Sequence, residues 1–285
     1  MTKILEYIIM LKCPQLAKSR KEQHGSKKKS STIHAEFLIS ETIHYYNTNG
    51  SSIYICAVLT LRRLSTAATG RFYSKNYTMK KAYLYRSLTF LGLLMKRVFQ
   101  GSILSPHLYY IYIEELIKCI EESCIRGTSL YGVYTGIIVY ADDIVLISAT
   151  INGLQNLLDK CTSYFNSTAI SLNISKTEFI GSYRTRDVSP NKYIAINHHL
   201  LSPGRKLKHL GFTWNTKRSG SATLDDANVE ERINTFWAAV FSLIKGGIRF
   251  CHPNSILDMY RKQLIPTLTY GLELTHMKQC EINLM

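Results

Sequence analysis

The sequence predicts an α+β fold in which short antiparallel strands are interspersed with amphipathic helices. Three observations carry this reading. Two apolar runs, 136–140 and 144–148, enclose Ala141-Asp142-Asp143 at hairpin spacing. Helix-period stretches stand on both sides of that hairpin, and the last quarter of the chain is helical again. A hydrophobic fraction of 46% over 285 residues supplies a large core and excludes wholesale disorder.

Taken in order, residues 1–32 read as a basic, disordered leader, because 18–31 are almost devoid of apolar groups. Lys27-Lys28-Lys29, set among serines, reads as a solvated arm rather than a polyanion contact. In 34–46, Ala35, Leu38, Ile39, Ile43 and Tyr46 recur at helical spacing, and 47–52 then forms a turn. Residues 53–59 are rich in β-branched and apolar side chains and read as a strand. The stretch 60–97 has no period.

Ser105 caps the next helix and Pro106 suits its first position, with Tyr109, Ile113, Leu116, Ile117 and Ile120 on one face and an end near Gly127. After the hairpin, Asn152 caps a helix whose Leu154, Leu157, Leu158, Cys161 and Phe165 share a face. Further strands fall near 177–181 and 207–214. In the tail, Asp225 or Asp226 starts a helix with Val229, Ile233, Trp237, Val240 and Ile244 on one stripe, stopped by Gly246-Gly247. A second helix covers 254–264 and ends at Pro266. The chain stops at Met285 just past the start of a further element, which reads as a truncation.

The formal charge of +15 is uneven: residues 1–97 hold 17 Lys and Arg against 4 Glu, and the remainder holds 18 against 16 acidic groups. The basic excess favours polyanion partners through phosphate contacts and counterion release. Seven cysteines without a C-x-x-C pair support neither a disulfide framework nor a zinc finger, so free thiols and no disulfide partner are expected. His198-His199 and Cys251-His252 lack a second ligand pair at the usual spacing and read as ordinary residues. No apolar run reaches the roughly 18 residues of a membrane span, and no secretion signal opens the chain. An intracellular protein of nucleus or cytoplasm, with no membrane partner, is expected.

Asp142-Asp143 places two carboxylates at a tight turn, an arrangement that holds divalent ions at a rigid edge. Asp-Asp also occurs in turns for conformational reasons alone. Context favours chemistry. Gln100-Gly101-Ser102-Ile103-Leu104-Ser105-Pro106, then an apolar-faced helix, then Tyr140-Ala141-Asp142-Asp143, resembles the reverse transcriptases of non-LTR (LINE-type) retrotransposons. Downstream, Asn173-Ile174-Ser175-Lys176-Thr177 looks like the family segment whose lysine approaches the nucleotide phosphates. His209-Leu210-Gly211-Phe212 resembles its primer-gripping strand.

The resemblance implies a right-hand polymerase palm, an antiparallel sheet with helices on one face, with incomplete fingers and a helical thumb. Degenerate fingers and early palm would occupy 33–97, the palm 98–215 and the thumb 216–285. It implies RNA-directed DNA polymerase activity by Mg²⁺-dependent nucleotidyl transfer, with an RNA template, a DNA primer and deoxynucleoside triphosphates. Asp142 and Asp143 would be the catalytic and metal-binding residues. Gln100, Gly101, Ser105, Pro106 and Lys176 would bind nucleotide and template, and Leu210 and Gly211 would form the primer grip. Trp237 reads as core rather than as a base-stacking platform.

One departure bears on activity. The family supplies a further metal-binding aspartate from an upstream strand, where this chain reads Leu59-Thr60-Leu61-Arg62-Arg63. Asp142 is the first aspartate of the sequence. Leu59 and Gln100 are also about 40 residues apart, fewer than the family normally has, and Phe99 stands where arginine is common. A deletion or frame disruption between 60 and 96 accounts for these features together. The expectation is an inactive polymerase, with a non-catalytic nucleic-acid-binding remnant as the alternative.

Overall fold

The computed structural model describes residues 2–12, 24–25, 30–61, 105–123, 127–168, 171–182, 193–219, 221–226 and 228–274. Helix α1 (Thr2–Lys12) is followed by α2 (Thr32–Thr48), strand β1 (Ile53–Leu61) and helix α3 (Ser105–Glu122). A small hairpin, β2 (Ser129–Leu130) and β3 (Val133–Tyr134), leads into β4 (Ile137–Tyr140) and β5 (Asp143–Ser148). Helix α4 (Ile151–Thr168), β6 (Ser171–Leu172) and β7 (Glu178–Ser182) come next, and then two hairpins. The first is β8 (Ile194–Ile196) with β9 (His199–Leu201). The second is β10 (Lys206–His209) with β11 (Phe212–Ser219), extended by β12 (Ser221–Asp226). The tail holds α5 (Asn228–Lys245), α6 (Pro253–Met259) and α7 (Ile265–Thr269).

The main sheet runs β4-β5-β1-β6, with β7 also on β1, and every pairing is antiparallel. β1 is central because its sequence, IYICAVLTL, is apolar on both sides of the pleat. Tyr54, Cys56 and Val58 join one core with Ile144 and Leu146 of β5, under α3 and α4. Ile53 and Ile55 join the other with Val145 and Ile147, against Ala35, Ile39 and Ile43 of α2 and Leu207 and Trp214 of the β10–β11 hairpin. The register is locked by shape at one point. Tyr54 pairs directly with Gly181 of β7, where an added Cβ would lie 2.4 Å from the Tyr54 ring.

Several sequence expectations shift. The α+β class holds, but helices lie on both faces of the sheet, since α2 covers the side opposite α3 and α4. The α2 stripe of Ala35, Ile39 and Ile43 needed an apolar partner, and the odd-numbered side of β1 supplies it. Within 1–32, residues 2–12 form α1, and the His24 N–H donates to the Val139 carbonyl at 2.9 Å on the edge of β4. This differs from a leader without structure. The helix from Ser105 ends at Glu122, before Gly127. Thr150, not Asn152, caps α4: the Gly153 N–H donates to Thr150 Oγ1 at 3.0 Å, because the chain enters the helix directly from β5.

The expected 207–214 strand is a hairpin that turns at Leu210-Gly211, with φ of 44° and 85°. Asp225 and Asp226 end β12 rather than start α5, which begins at Asn228. Pro266 does not end the last helix. A wide π-helical turn, Tyr260–Leu264, resets the hydrogen bonding so that Pro266 falls in the first turn of α7, where its missing N–H costs nothing. The aperiodic stretch from 62 and the Gln100-Gly101 segment lie outside the described residues.

The burial of α2 has a direct test. Ile39→Ala, at a side chain 1% exposed, is expected to lower unfolding free energy by about 2–4 kcal/mol in chemical denaturation. A change under about 0.5 kcal/mol would show that α2 does not cover the sheet. A second test uses thiols: Cys56 and Cys161 are buried, with their thiols pushed up by burial, Cys161 to about 12, while Cys251 is exposed. Mass-mapped alkylation of the native chain should mark Cys251 and spare Cys56 and Cys161.

Candidate functional site

Tyr140 pairs with Asp143 across the β4–β5 hairpin, leaving Ala141 and Asp142 as a two-residue turn. Ala141 has φ 51°, a left-handed conformation that costs an alanine about 1–2 kcal/mol and that hairpin twist requires. The turn is braced from outside. Gly25 lies so close that an added Cβ would meet the Ala141 amide nitrogen at 2.4 Å, and the preceding His24 holds the Val139 carbonyl. His24 Nδ1 and Ser30 Oγ lie 3.3 Å apart.

Asp142 and Asp143 are both partly exposed at this edge. The register sets Leu59 of β1 opposite Asp143, and Thr60 and Leu61 then pair with Leu172 and Ser171 of β6. The strand abutting the aspartate pair therefore ends in Leu-Thr-Leu and brings no carboxylate. Among the described residues, no three His, Cys, Asp or Glu side chains gather into a group that could hold a metal ion. Lys176 ends a 3₁₀ turn, Ile174–Lys176, two residues before Glu178, which pairs with Ala57. The antiparallel register thus brings an exposed Lys176 to the same end of the sheet as Asp143.

Of the other expected site residues, Ser105 and Pro106 open α3, and Gln100 and Gly101 lie outside the described residues. Leu210 and Gly211 sit at the β10–β11 turn rather than in a strand. Behind that turn, His209 Nδ1 and Glu36 Oε1 meet at 2.5 Å as a fully buried pair joining β10 to α2. Asn228 Oδ1 accepts the Thr213 N–H at 2.7 Å, and Glu231 accepts from the Thr213 hydroxyl at 2.6 Å and binds Lys206. Burial alone would raise the Glu231 pKa, but its bonds to Lys206 and Thr213 and the charges of Lys206 and Lys208 bring it below the usual carboxylate range.

Sequence reasoning missed Gly25, Glu36, Arg232 and Tyr270 as parts of these two turns. Nothing in the spacing of Tyr270 and Gly271 within the tail points to β10–β11. Trp237 is corrected: it is 51% exposed on α5, and Trp214 of β11 is the buried tryptophan. His198 occupies a hairpin turn at φ 69°, and His252 caps α6 by accepting the Asn254 N–H at 3.2 Å, so both have local conformational roles.

Beyond this geometry, the sequence profile described as "Reverse transcriptase (RNA-dependent DNA polymerase)" matches residues 72–214, half of the chain. The chain belongs to the reverse transcriptase family. The reverse transcriptase match includes the β4–β5 turn, Lys176 and the β10–β11 turn, and starts after β1. The chain is also similar to the retrovirus-related Pol polyprotein from type-2 retrotransposable element R2DM of Drosophila melanogaster, at 32% identity over 82 residues. That match takes in 29% of this chain and 8% of the polyprotein's length. The non-LTR resemblance read from the motifs is borne out. Reverse transcriptases as a family act on template, primer and nucleotide, and intact members depend on a divalent metal. No helix of the described residues is long and apolar enough to cross a membrane.

Two outcomes test this geometry. Gly25→Ala is expected to destabilise the fold by about 1–3 kcal/mol, because backbone must move at the Ala141 turn. Thermal melts unchanged by that substitution would place Gly25 away from the turn. The lowered Glu231 pKa makes its stabilisation full above the usual carboxylate range, and it is lost as pH falls through the depressed folded value. Tm should therefore fall on acidification, and Glu231→Gln should flatten part of that fall.

Proposed function

We propose that this chain is the RNA-directed DNA polymerase domain of a non-LTR retrotransposon, that it retains nucleic-acid binding, and that it has little or no polymerase activity. One observation carries the reading: Asp142 and Asp143 stand at a family-matched hairpin turn beside a strand whose end, Leu59-Thr60-Leu61, brings no carboxylate. A two-ion nucleotidyl-transfer site would have to balance four positive charges. Two aspartates offset only half of that, so the described residues do not fit a two-ion Mg²⁺ site.

The remaining parts support binding. Lys176 lies exposed at the aspartate end of the sheet, suited to nucleotide phosphates. Ser105 and Pro106, with Gln100 and Gly101 before them, form the template-facing segment. Leu210 and Gly211 contact the primer strand, and the helices α5 to α7 serve as the thumb. The +15 charge adds a sequence-independent affinity for template and primer backbones.

Primer extension on an RNA template with Mg²⁺ or Mn²⁺ tests the activity claim. No extension is expected, together with salt-sensitive hybrid binding that Asp142→Ala leaves unchanged. Extension abolished by Asp142→Ala would overturn the inactivity. A gain-of-function measurement complements it. Leu59→Asp sets a third carboxylate opposite Asp143 and is expected to raise Mn²⁺ affinity at least about tenfold, read by electron paramagnetic resonance.

A further inference from the structure

The Leu210-Gly211 turn is held by its carbonyls. Tyr270 Oη lies 3.0 Å from the Leu210 carbonyl and 2.9 Å from Thr32 Oγ1. A carbonyl can only accept, so the single phenolic proton goes to Leu210 and the Thr32 hydroxyl donates to Tyr270. Arg232 Nη2 donates to the Gly211 carbonyl at 2.5 Å, and its guanidinium stands 4.8 Å over the Tyr270 ring. The same ring lies 5.6 Å from Phe212, and Gly271 has no room for a side chain because a Cβ would meet Phe212 at 2.2 Å. Two elements, α5 and the residue after α7, thus hold the two peptide groups, and the start of α2 holds Tyr270.

This clamp and the aspartate turn rest on a common support. Leu210 and Tyr140 pack against the same α2-side core, and the buried Glu36–His209 pair ties the base of β10 to α2. A shift of the tail helices would carry the 210–211 turn with it, while β4 and β5 stay fixed by β1.

We propose that Arg232 and Tyr270 are positioning residues: through the two carbonyls of Leu210 and Gly211 they set this turn relative to the 141–142 turn, and so place the 3′ end of a primer strand in an RNA–DNA hybrid. This rests on the reading of Leu210-Gly211 as the primer contact. It adds that the placement is governed by side chains of the tail rather than by the hairpin alone.

Fluorescence anisotropy of the full chain at fixed salt decides it, with two hybrids of equal length, one with a recessed DNA 3′ end and one blunt. The variants Arg232→Lys and Tyr270→Phe keep charge and ring while losing the fork and the phenolic donor. The parent should prefer the recessed end. Each variant should lose about fivefold on that hybrid alone, with blunt binding and Tm nearly unchanged. The double variant should lose no more than the weaker-binding single, because both bonds act on one turn. Equal loss on both hybrids, a loss tracking a fall in Tm, no loss, or a parent without end preference overturns the proposal. A parent that binds neither hybrid overturns the polymerase reading as well, whereas hybrid binding with variant-independent end preference overturns the clamp alone.

Discussion

Burial of β1 on both faces is the constraint on which the rest of the structure depends. A strand covered on both sides admits one register, and here the fit of Tyr54 over Gly181 selects it by shape, since polarity does not distinguish the two sides. From that register follow the pairing of β5, hence the place of Asp142 and Asp143, and the pairing of β7, hence the end at which Lys176 emerges. The same pleat sends Ile53 and Ile55 toward α2 and Tyr54 and Cys56 toward α3 and α4. The aspartate turn is therefore positioned by apolar packing well below it.

The second organising element is polar and lies away from that strand. His209, Leu210, Gly211 and Thr213 are each bonded to a side chain from another element: Glu36, Tyr270, Arg232, and Asn228 with Glu231. Every one of these partners comes from α2 or the tail, outside the sheet. Sheet chemistry and tail position are thus joined through a hairpin of modest length. Because these bonds act on one short turn, loss of any one of them alters the setting of the whole.

Much of this was legible in the sequence where local signals and burial agree. The aspartate hairpin, the α3 and α4 stripes and the α2 stripe all follow from periodicity, and Ser105-Pro106 marks a helix start that α3 keeps. The strand nature of 53–59 was readable too. Its continuous apolar run also implied cover on both faces, a signal not used in expecting helices on one. What stayed hidden depends on tertiary contact. Leu207 and Trp214 read as one strand because apolar character persists across the Leu210-Gly211 turn. Pro266 read as a stop because a preceding π turn leaves no compositional mark. Trp237 lies on a regular stripe, yet α5 buries only its first residues. Gly25 is an ordinary glycine until Ala141 is seen above it.

That exposed stripe has a consequence for the chain as a solution particle. Trp237, Phe241 and Ile244 present apolar surface along α5, while a net charge of +15 drives copies apart. The two forces have different ranges. Charge repulsion acts across a screening length of about 8 Å at 0.15 M salt and shrinks as ions are added, whereas contact between apolar stripes does not weaken. Added salt therefore weakens the repulsion between copies while leaving the apolar stripe of α5 as adhesive as before.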